Sequence, residues 1–331
     1  MKDAEKILYL SQADVAGAGL GMAEIIGIVE RVFVEKSKGE VEMPPKPGIH
    51  PAPDSFIHAM PAYVPALDAA AVKWVGGYPQ NPAAGLPYIT GVLILNDPKT
   101  GIPLAMMDAA WITAMRTAAA SAVAAKCLAN PDPRVLAVIG CGVQGRSHLA
   151  AMSVVFPSIG RVNAYDISAE NLDRYVFEMS ARYPEKDFEE CGSPRGALGD
   201  ADIIVTAGPI KKTPEPGIEA GWVKPGAFAG PVDFDTYWSR EALREFDKIL
   251  TDDIPQFRFY QEGGYFGAFP EIYGELSDVL SPTRPRGRPG RASPDERIMS
   301  MHLGLAIEDA AVARRVFEIA VESGIGQWLE R

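Results

Sequence analysis

Residues Gly140-Cys141-Gly142-Val143-Gln144-Gly145 form a complete G-x-G-x-x-G. This pattern suits the diphosphate of a dinucleotide when it follows a strand and opens a helix. Gly140 permits the tight turn, Gly142 admits the pyrophosphate to the backbone, and Gly145 lets helix and strand pack closely. Val143 and Gln144 carry the first amides of the helix, which meet an anion with free N–H groups and a partial positive charge. Asp166 lies 21 residues beyond Gly145, where an acid accepts hydrogen bonds from both ribose hydroxyls. A carboxylate there repels a 2′-phosphate, and Ile167-Ser168 offers no arginine to hold one. The cofactor expected is NAD rather than NADP. Cys141 reads as a small spacer, with no partner cysteine near in sequence.

The elements that must position this motif are legible around it. Val135–Ile139 is a continuous apolar run, as a strand buried on both faces requires. A helix follows to about Phe156, then a strand Arg161–Tyr165, a helix Ala169–Arg182 and a strand Ile203–Val205. Strands alternating with helices imply a doubly wound parallel sheet, the Rossmann form of the α/β class. The prolines of Asn130-Pro131-Asp132-Pro133 end an Ala-rich helix begun near Ala109 and mark a boundary. Before it the texture differs. A strand at Ile7–Leu10 and a helix over Met22–Lys36 precede short strands at Ser55–Met60, Ala71–Gly76, Ile89–Leu95 and Leu104–Asp108, the α+β pattern of a second domain. Asp97 to Gly101 reads as a hairpin turn, and Leu305–Glu322 as a closing amphipathic helix.

Composition narrows the partners. The 331 residues are 47% hydrophobic and 23% charged, a globular balance for about two domains. The net charge of -11 disfavours nucleic acid as a partner. The Pro-, Gly- and Arg-rich segment Ser281–Arg297 reads as a surface loop. No apolar stretch reaches the length of a membrane span, and no signal peptide is evident, so a cytoplasmic protein with no membrane partner is expected. Three cysteines and four histidines lack metal-ligand spacing, so no metal is expected.

Three further segments carry unusual chemistry: Lys73-Trp74-Val75-Gly76-Gly77-Tyr78-Pro79-Gln80-Asn81, Thr100 to Asp108, and Ile112-Thr113-Ala114-Met115-Arg116-Thr117-Ala118-Ala119. Together with the glycine motif they resemble the ornithine cyclodeaminase/mu-crystallin family over nearly the whole chain. The resemblance implies a substrate-binding and dimerisation domain over residues 1–130, completed by residues 304–331, and a Rossmann dinucleotide-binding domain over 131–303. It implies a homodimer acting on a small α-imino, α-keto or α-amino acid. Lys73 matches the family's active-site lysine. Arg116 matches the arginine that holds the substrate carboxylate, beside the cofactor phosphates that Thr117 approaches. Lys46 stands where many members have a second carboxylate-binding arginine, and Thr206 resembles a residue lining the nicotinamide side. Counting from Pro225-Gly226, the catalytic acid falls on Asp235, and a two-residue shift would exchange it with Asp233, otherwise a cofactor-side residue.

The sequence also departs from the family. His58-Ala59-Met60-Pro61 replaces a Glu-x-Met-Pro whose glutamate suits a substrate ammonium. His58 and Met60 then face a neutral or anionic side chain, since a buried cation without a partner is expensive. Tyr88 stands where several members have a cofactor-side threonine, and His302 falls in an altered pocket segment. The chemistry is coherent without the family. Arginine offers a planar fork to a carboxylate, and a partly buried lysine shares protons. From Met43 to Asn130 five cations meet four acids, so this region escapes the acidity of the chain. An NAD-dependent imine reductase or amino-acid dehydrogenase is expected, giving an L-amino acid. A cyclodeaminase-type lyase using NAD catalytically and a non-catalytic binding protein are the alternatives.

Overall fold

The computed structural model describes residues 5–281 and 290–331, which form two compact units, Met1–Arg116 with Leu305–Arg331, and Thr117–Gly304. Residues 282–289 of the Pro/Gly/Arg segment lie outside the described residues. Its remainder includes Arg291, whose Nε donates to the Leu128 carbonyl across 2.9 Å.

The first unit is built on a seven-stranded mixed sheet. Its strands are β1 (Lys6–Leu10), β2 (Gly48–Ile49), β3 (Phe56–Val64), β4 (Ala69–Gly77), β5 (Ile89–Asn96) and β6 (Pro103–Asp108), with a C-terminal strand Gln327–Glu330. β2 to β6 form an antiparallel meander, β1 lies parallel to β6, and the C-terminal strand closes the edge beside β1. β3 continues through Pro61, where the sequence reading ends it. Beyond His58 its outer side is met by the bond from the Ala59 amide to the Pro47 carbonyl and by an isolated bridge from Glu42 to Tyr63, so Pro61 sits on a nearly open edge where a missing N–H costs little. Alternation along the strands divides the faces. His58, Met60, Ala62 and Val64 of β3 are buried, as are Lys73 and Val75 of β4. Pairing aligns Met60, Lys73, Leu93, Met107 and Leu10 in one row across five strands. Helices Met22–Lys38 and Ala306–Ser323 pack in this unit, the latter against β3 and β4. A short helix Gln12–Gly17, capped reciprocally by Ser11 and Asp14, is absent from the sequence reading because six residues show no period.

The second unit carries an eight-stranded sheet whose paired strands all run parallel. Its strands are β7 (Val135–Ile139), β8 (Arg161–Tyr165), β9 (Asp187–Glu190), β10 (Ile203–Thr206), β11 (Phe228–Pro231), β12 (Lys248–Thr251), β13 (Gly274–Glu275) and β14 (Ile298–Met301). The order β13-β12-β14-β11-β10-β7-β8-β9 reverses direction at β7, the switch point of a doubly wound sheet. β9 and β11 to β14 are two to four residues long, too short for a period, and the sequence reading does not assign them. Their residues are nonetheless core: Phe228, Ala229, Ile249, Met299 and Met301 are buried. An aromatic cluster of Phe234, Tyr260, Phe257 and Phe266 fills one side. Among the described residues no helix is long and apolar enough to cross a membrane, and no cluster of His, Cys, Asp and Glu suits a metal ion.

Candidate functional site

In the first unit the row position of Lys73 is decisive. Its cross-strand neighbours Met60 and Leu93 are apolar and buried, and Lys73 is itself 1% exposed. An ammonium so placed needs a partner. Asp309 Oδ2 lies 2.6 Å from Nζ, and Nζ donates to Thr113 Oγ1 across 3.2 Å. Arg116, on the helix Ala110–Leu128, donates from Nε to the other oxygen of Asp309 at 2.9 Å and from Nη1 to Glu308 Oε2 at 3.0 Å. Asp309 therefore bridges both cations, and all four side chains are buried. Nη2 of Arg116 makes no bond among the described residues.

Glu308 and Asp309 are the residues that sequence reasoning missed. They form an acidic pair inside the apolar run Leu305 to Ala313, at the first turn of a helix buried almost all round. That pair was the available signal, since carboxylates in an apolar run need cationic partners.

Electrostatics follow from burial. Burial pushes the Lys73 ammonium down to about 8, with Asp309 opposing and Arg116 adding to the fall. Burial also works against the charge of Arg116, but Asp309 and Glu308 outweigh it and raise its pKa. His58 is pushed down to about 3 by burial, then by Lys46, His50 and Lys73, so its imidazole is neutral. It stacks on Phe56 at 4.3 Å between ring centres. Lys46 is buried in the segment before β2. Tyr88 is half-buried just before β5, and its carbonyl accepts from the Tyr78 amide at 2.9 Å. The structure thus brings Lys46, His58, Met60, Lys73 and Arg116 together on the inner side of one sheet.

In the second unit the glycine loop has the geometry its sequence asks for. Gly140 has φ +99°, and a Cβ there would lie 2.7 Å from the Ala207 carbonyl oxygen. A Cβ on Gly145 would strike the Gly140 carbonyl. A Cβ on Gly142 would meet nothing within 4 Å, so the loop is open where a diphosphate would approach. Gly142 starts the helix Val143–Val155 without a side-chain cap, leaving first-turn amides for an anion. Asp166, after β8, accepts from Cys141 N at 2.8 Å and Ser168 N at 2.9 Å. Its neighbour Ile167 is 95% exposed. Burial and Asp166 push the Cys141 thiol up to about 12, which suits an inert spacer. These residues fit a dinucleotide without a 2′-phosphate.

Thr206 ends β10 and donates to Asp233 Oδ1 at 2.6 Å, while Gly208 N donates to Oδ2 at 2.9 Å. Burial raises Asp233 to about 7 against these bonds, with Asp235 adding to the rise. Between the two acids Phe234 adopts φ +60°, a left-handed conformation that a phenylalanine holds only under tertiary constraint. Its ring is locked against Tyr260 and Phe266, each with ring centres 5.1 Å away. The twist sends the acids to different partners. Asp235 pairs with Arg240 at 2.7 Å, and burial, opposed by Arg240, raises its pKa. Thr117 and His302 are buried, and His302 Nε2 lies 3.3 Å from Ser300 Oγ.

Known proteins resemble this chain over nearly its whole length. A nodulation efficiency protein of Rhizobium meliloti is 37% identical, each chain covered to 97%. The structure of a Thermococcus litoralis Δ(1)-pyrroline-2-carboxylate reductase with NADH and L-proline superposes with TM-score 0.86 at 33% identity, covering 97% of this chain and 99% of that one. An archaeal alanine dehydrogenase dimer with bound NAD gives TM-score 0.84 at 31% identity, covering 98% and 99%. The profile of the ornithine cyclodeaminase/mu-crystallin family matches residues 6–324. The chain belongs to the ornithine cyclodeaminase/mu-crystallin family.

Proposed function

We propose that this protein is an NAD(H)-dependent oxidoreductase acting on the C–N bond of a small α-imino or α-amino acid. It would reduce an imine, or aminate a 2-keto acid reductively, to give an L-amino acid. The observation that carries the reading is the buried set Lys73, Arg116, Glu308 and Asp309. Arg116, held by two carboxylates, presents a planar guanidinium suited to a substrate carboxylate. The reductase and dehydrogenase relatives support the same class of reaction.

Arg116 is pre-oriented by Asp309 and Glu308, so its remaining nitrogen and the Lys46 ammonium hold the α-carboxylate at little entropic cost. Lys73, mostly protonated at neutral pH and half-protonated near pH 8, holds or releases the proton that the substrate nitrogen exchanges. Asp235, its pKa raised by burial, stabilises an iminium or donates a proton to nitrogen. Asp233 instead holds Thr206 and Gly208, and with them the loop after β10 on the nicotinamide side. The first-turn amides after Gly142 hold the diphosphate, and Asp166 accepts from the ribose hydroxyls. When bound, the cofactor supplies or accepts the hydride. His58, neutral and beside Met60, suits an uncharged or anionic substrate side chain better than an ammonium.

The homodimer has its own support. The other face of the first unit's sheet exposes Trp74 by 52% and its cross-strand partner Val92 by 41%. Tyr9, on that same face, adds to the exposed apolar set, the character of a surface for a second copy.

The test is NADH oxidation with pyruvate, glyoxylate or oxaloacetate plus ammonium, and with cyclic α-imino acids. Turnover by the wild type and its loss in Lys73→Met, with NADH binding retained, is the expected result. Absence of turnover with every substrate refutes the reading. Ammonia release from ornithine or lysine without net NADH change would establish the lyase instead.

A further inference from the structure

His148 lies on the helix that opens at the glycine loop, and it is fully buried. Its Nδ1 is 2.8 Å from the Gln144 carbonyl oxygen. A carbonyl only accepts, so Nδ1 carries the proton and Nε2 is the acceptor. The Ser121 hydroxyl donates to Nε2 across 2.9 Å. Burial lowers the ring's pKa to about 4, with His302 adding to the fall, which keeps this neutral tautomer.

Ser121 stands one helical turn beyond Thr117, on the same face of the helix Ala110–Leu128. Around it Ala118, Ala119, Ala120, Ala122, Val123, Ala124 and Ala125 are all fully buried and apolar. A serine–histidine pair in such a wall adds little net stability over apolar packing, but it fixes the rotation and register of the two helices. Gln144, the other end of the chain of bonds, belongs to the glycine motif itself.

We propose that His148 is a positioning residue for the dinucleotide site, clamping the first turn of the glycine-loop helix to the helix that carries Thr117. The amides after Gly142 and the Thr117 hydroxyl are thereby held in one fixed relation for the diphosphate. This rests on the cofactor reading above.

The experiment is NADH binding to the full-length protein, followed by fluorescence titration, with circular dichroism confirming the fold. Ser121→Ala and His148→Leu should each weaken NADH binding about tenfold, the size of one buried hydrogen bond. His148→Gln, whose side-chain oxygen can accept from Ser121, should recover binding to within about threefold. Ser147→Ala is the control. Ser147 is buried on the same helix and, among the described residues, its side chain bonds within that helix, to the Val143 carbonyl at 3.0 Å, so its loss should leave the Kd unchanged. Wild-type affinity in Ser121→Ala, equal weakening in Ser147→Ala, or no recovery in His148→Gln would overturn the proposal. Failure of the wild type to bind NADH would overturn the cofactor reading and this inference together.

Discussion

Replacing Asp309 by Asn leaves the shape of the site nearly unchanged and removes one negative charge shared by two buried cations. The contacts are short, 2.6 Å to Lys73 and 2.9 Å to Arg116. At an effective dielectric near 20, a pair at the Lys73 distance has roughly 6 kcal/mol of gross attraction. Desolvation offsets much of that in the intact site. Removing one partner still strands a buried charge, at a cost of roughly 3–5 kcal/mol. Asp309→Asn should lower stability by that amount because it strands Lys73, whereas Lys73→Met leaves Asp309 on Arg116 and should cost less. The double variant restores a neutral site with Arg116 on Glu308, so its loss should fall short of the sum by about 2–3 kcal/mol. Urea unfolding of the four proteins measures this cycle. The exposed pair Arg315–Glu24 provides the contrast. It is equally short at 2.7 Å, but its side chains are 35% and 49% exposed, and Glu24→Gln should cost less than about 1 kcal/mol. Additive losses in the Lys73/Asp309 cycle would refute the argument that these charges form one electrostatic unit.

Three further outcomes are expected. Asp166→Ala should weaken NADH binding at least tenfold and narrow the preference over NADPH, since the carboxylate both accepts ribose hydroxyls and repels a 2′-phosphate; titration of both cofactors checks it. Lys73 is charged below about 8 and neutral above it, so if it donates the proton, imine reduction should fall as pH rises through that value while amino-acid oxidation rises; pH–rate profiles in the two directions should therefore carry limbs of opposite sign. Trp74→Glu should place a charge on the proposed dimer face and shift the protein toward monomer in sedimentation, with secondary structure unchanged because this side chain is already half exposed.

Local chemistry made much of this protein readable. The strand Val135–Ile139, the turn at Gly140, the helix after Gly142 and the acid at Asp166 are specified within a few dozen residues, each by its own backbone or solvation requirement. The hairpin at Asp97–Gly101 is specified the same way, by Gly101 at φ +74° and the bond from its amide to the Asp97 carbonyl. The short parallel strands β11, β12 and β14 were not readable. Four buried residues have no polar face, so nothing along the chain distinguishes them from a helix interior.

Residue type and spacing alone determined that this chain carries a dinucleotide motif and cationic residues suited to a carboxylate, and the family resemblance narrowed the acid to Asp233 or Asp235. Tertiary structure decided what those groups experience. Only the sheet register puts Lys73 in an apolar row, and only the packing of the helix Ala306–Ser323 brings Asp309 to it and to Arg116, 193 residues away in sequence. Only the constrained Phe234 turns Asp233 toward Thr206 and Asp235 toward Arg240. The reason is physical. A charge's partners and its desolvation depend on what the fold places within a few ångströms, and that neighbourhood is not written in the residues beside it.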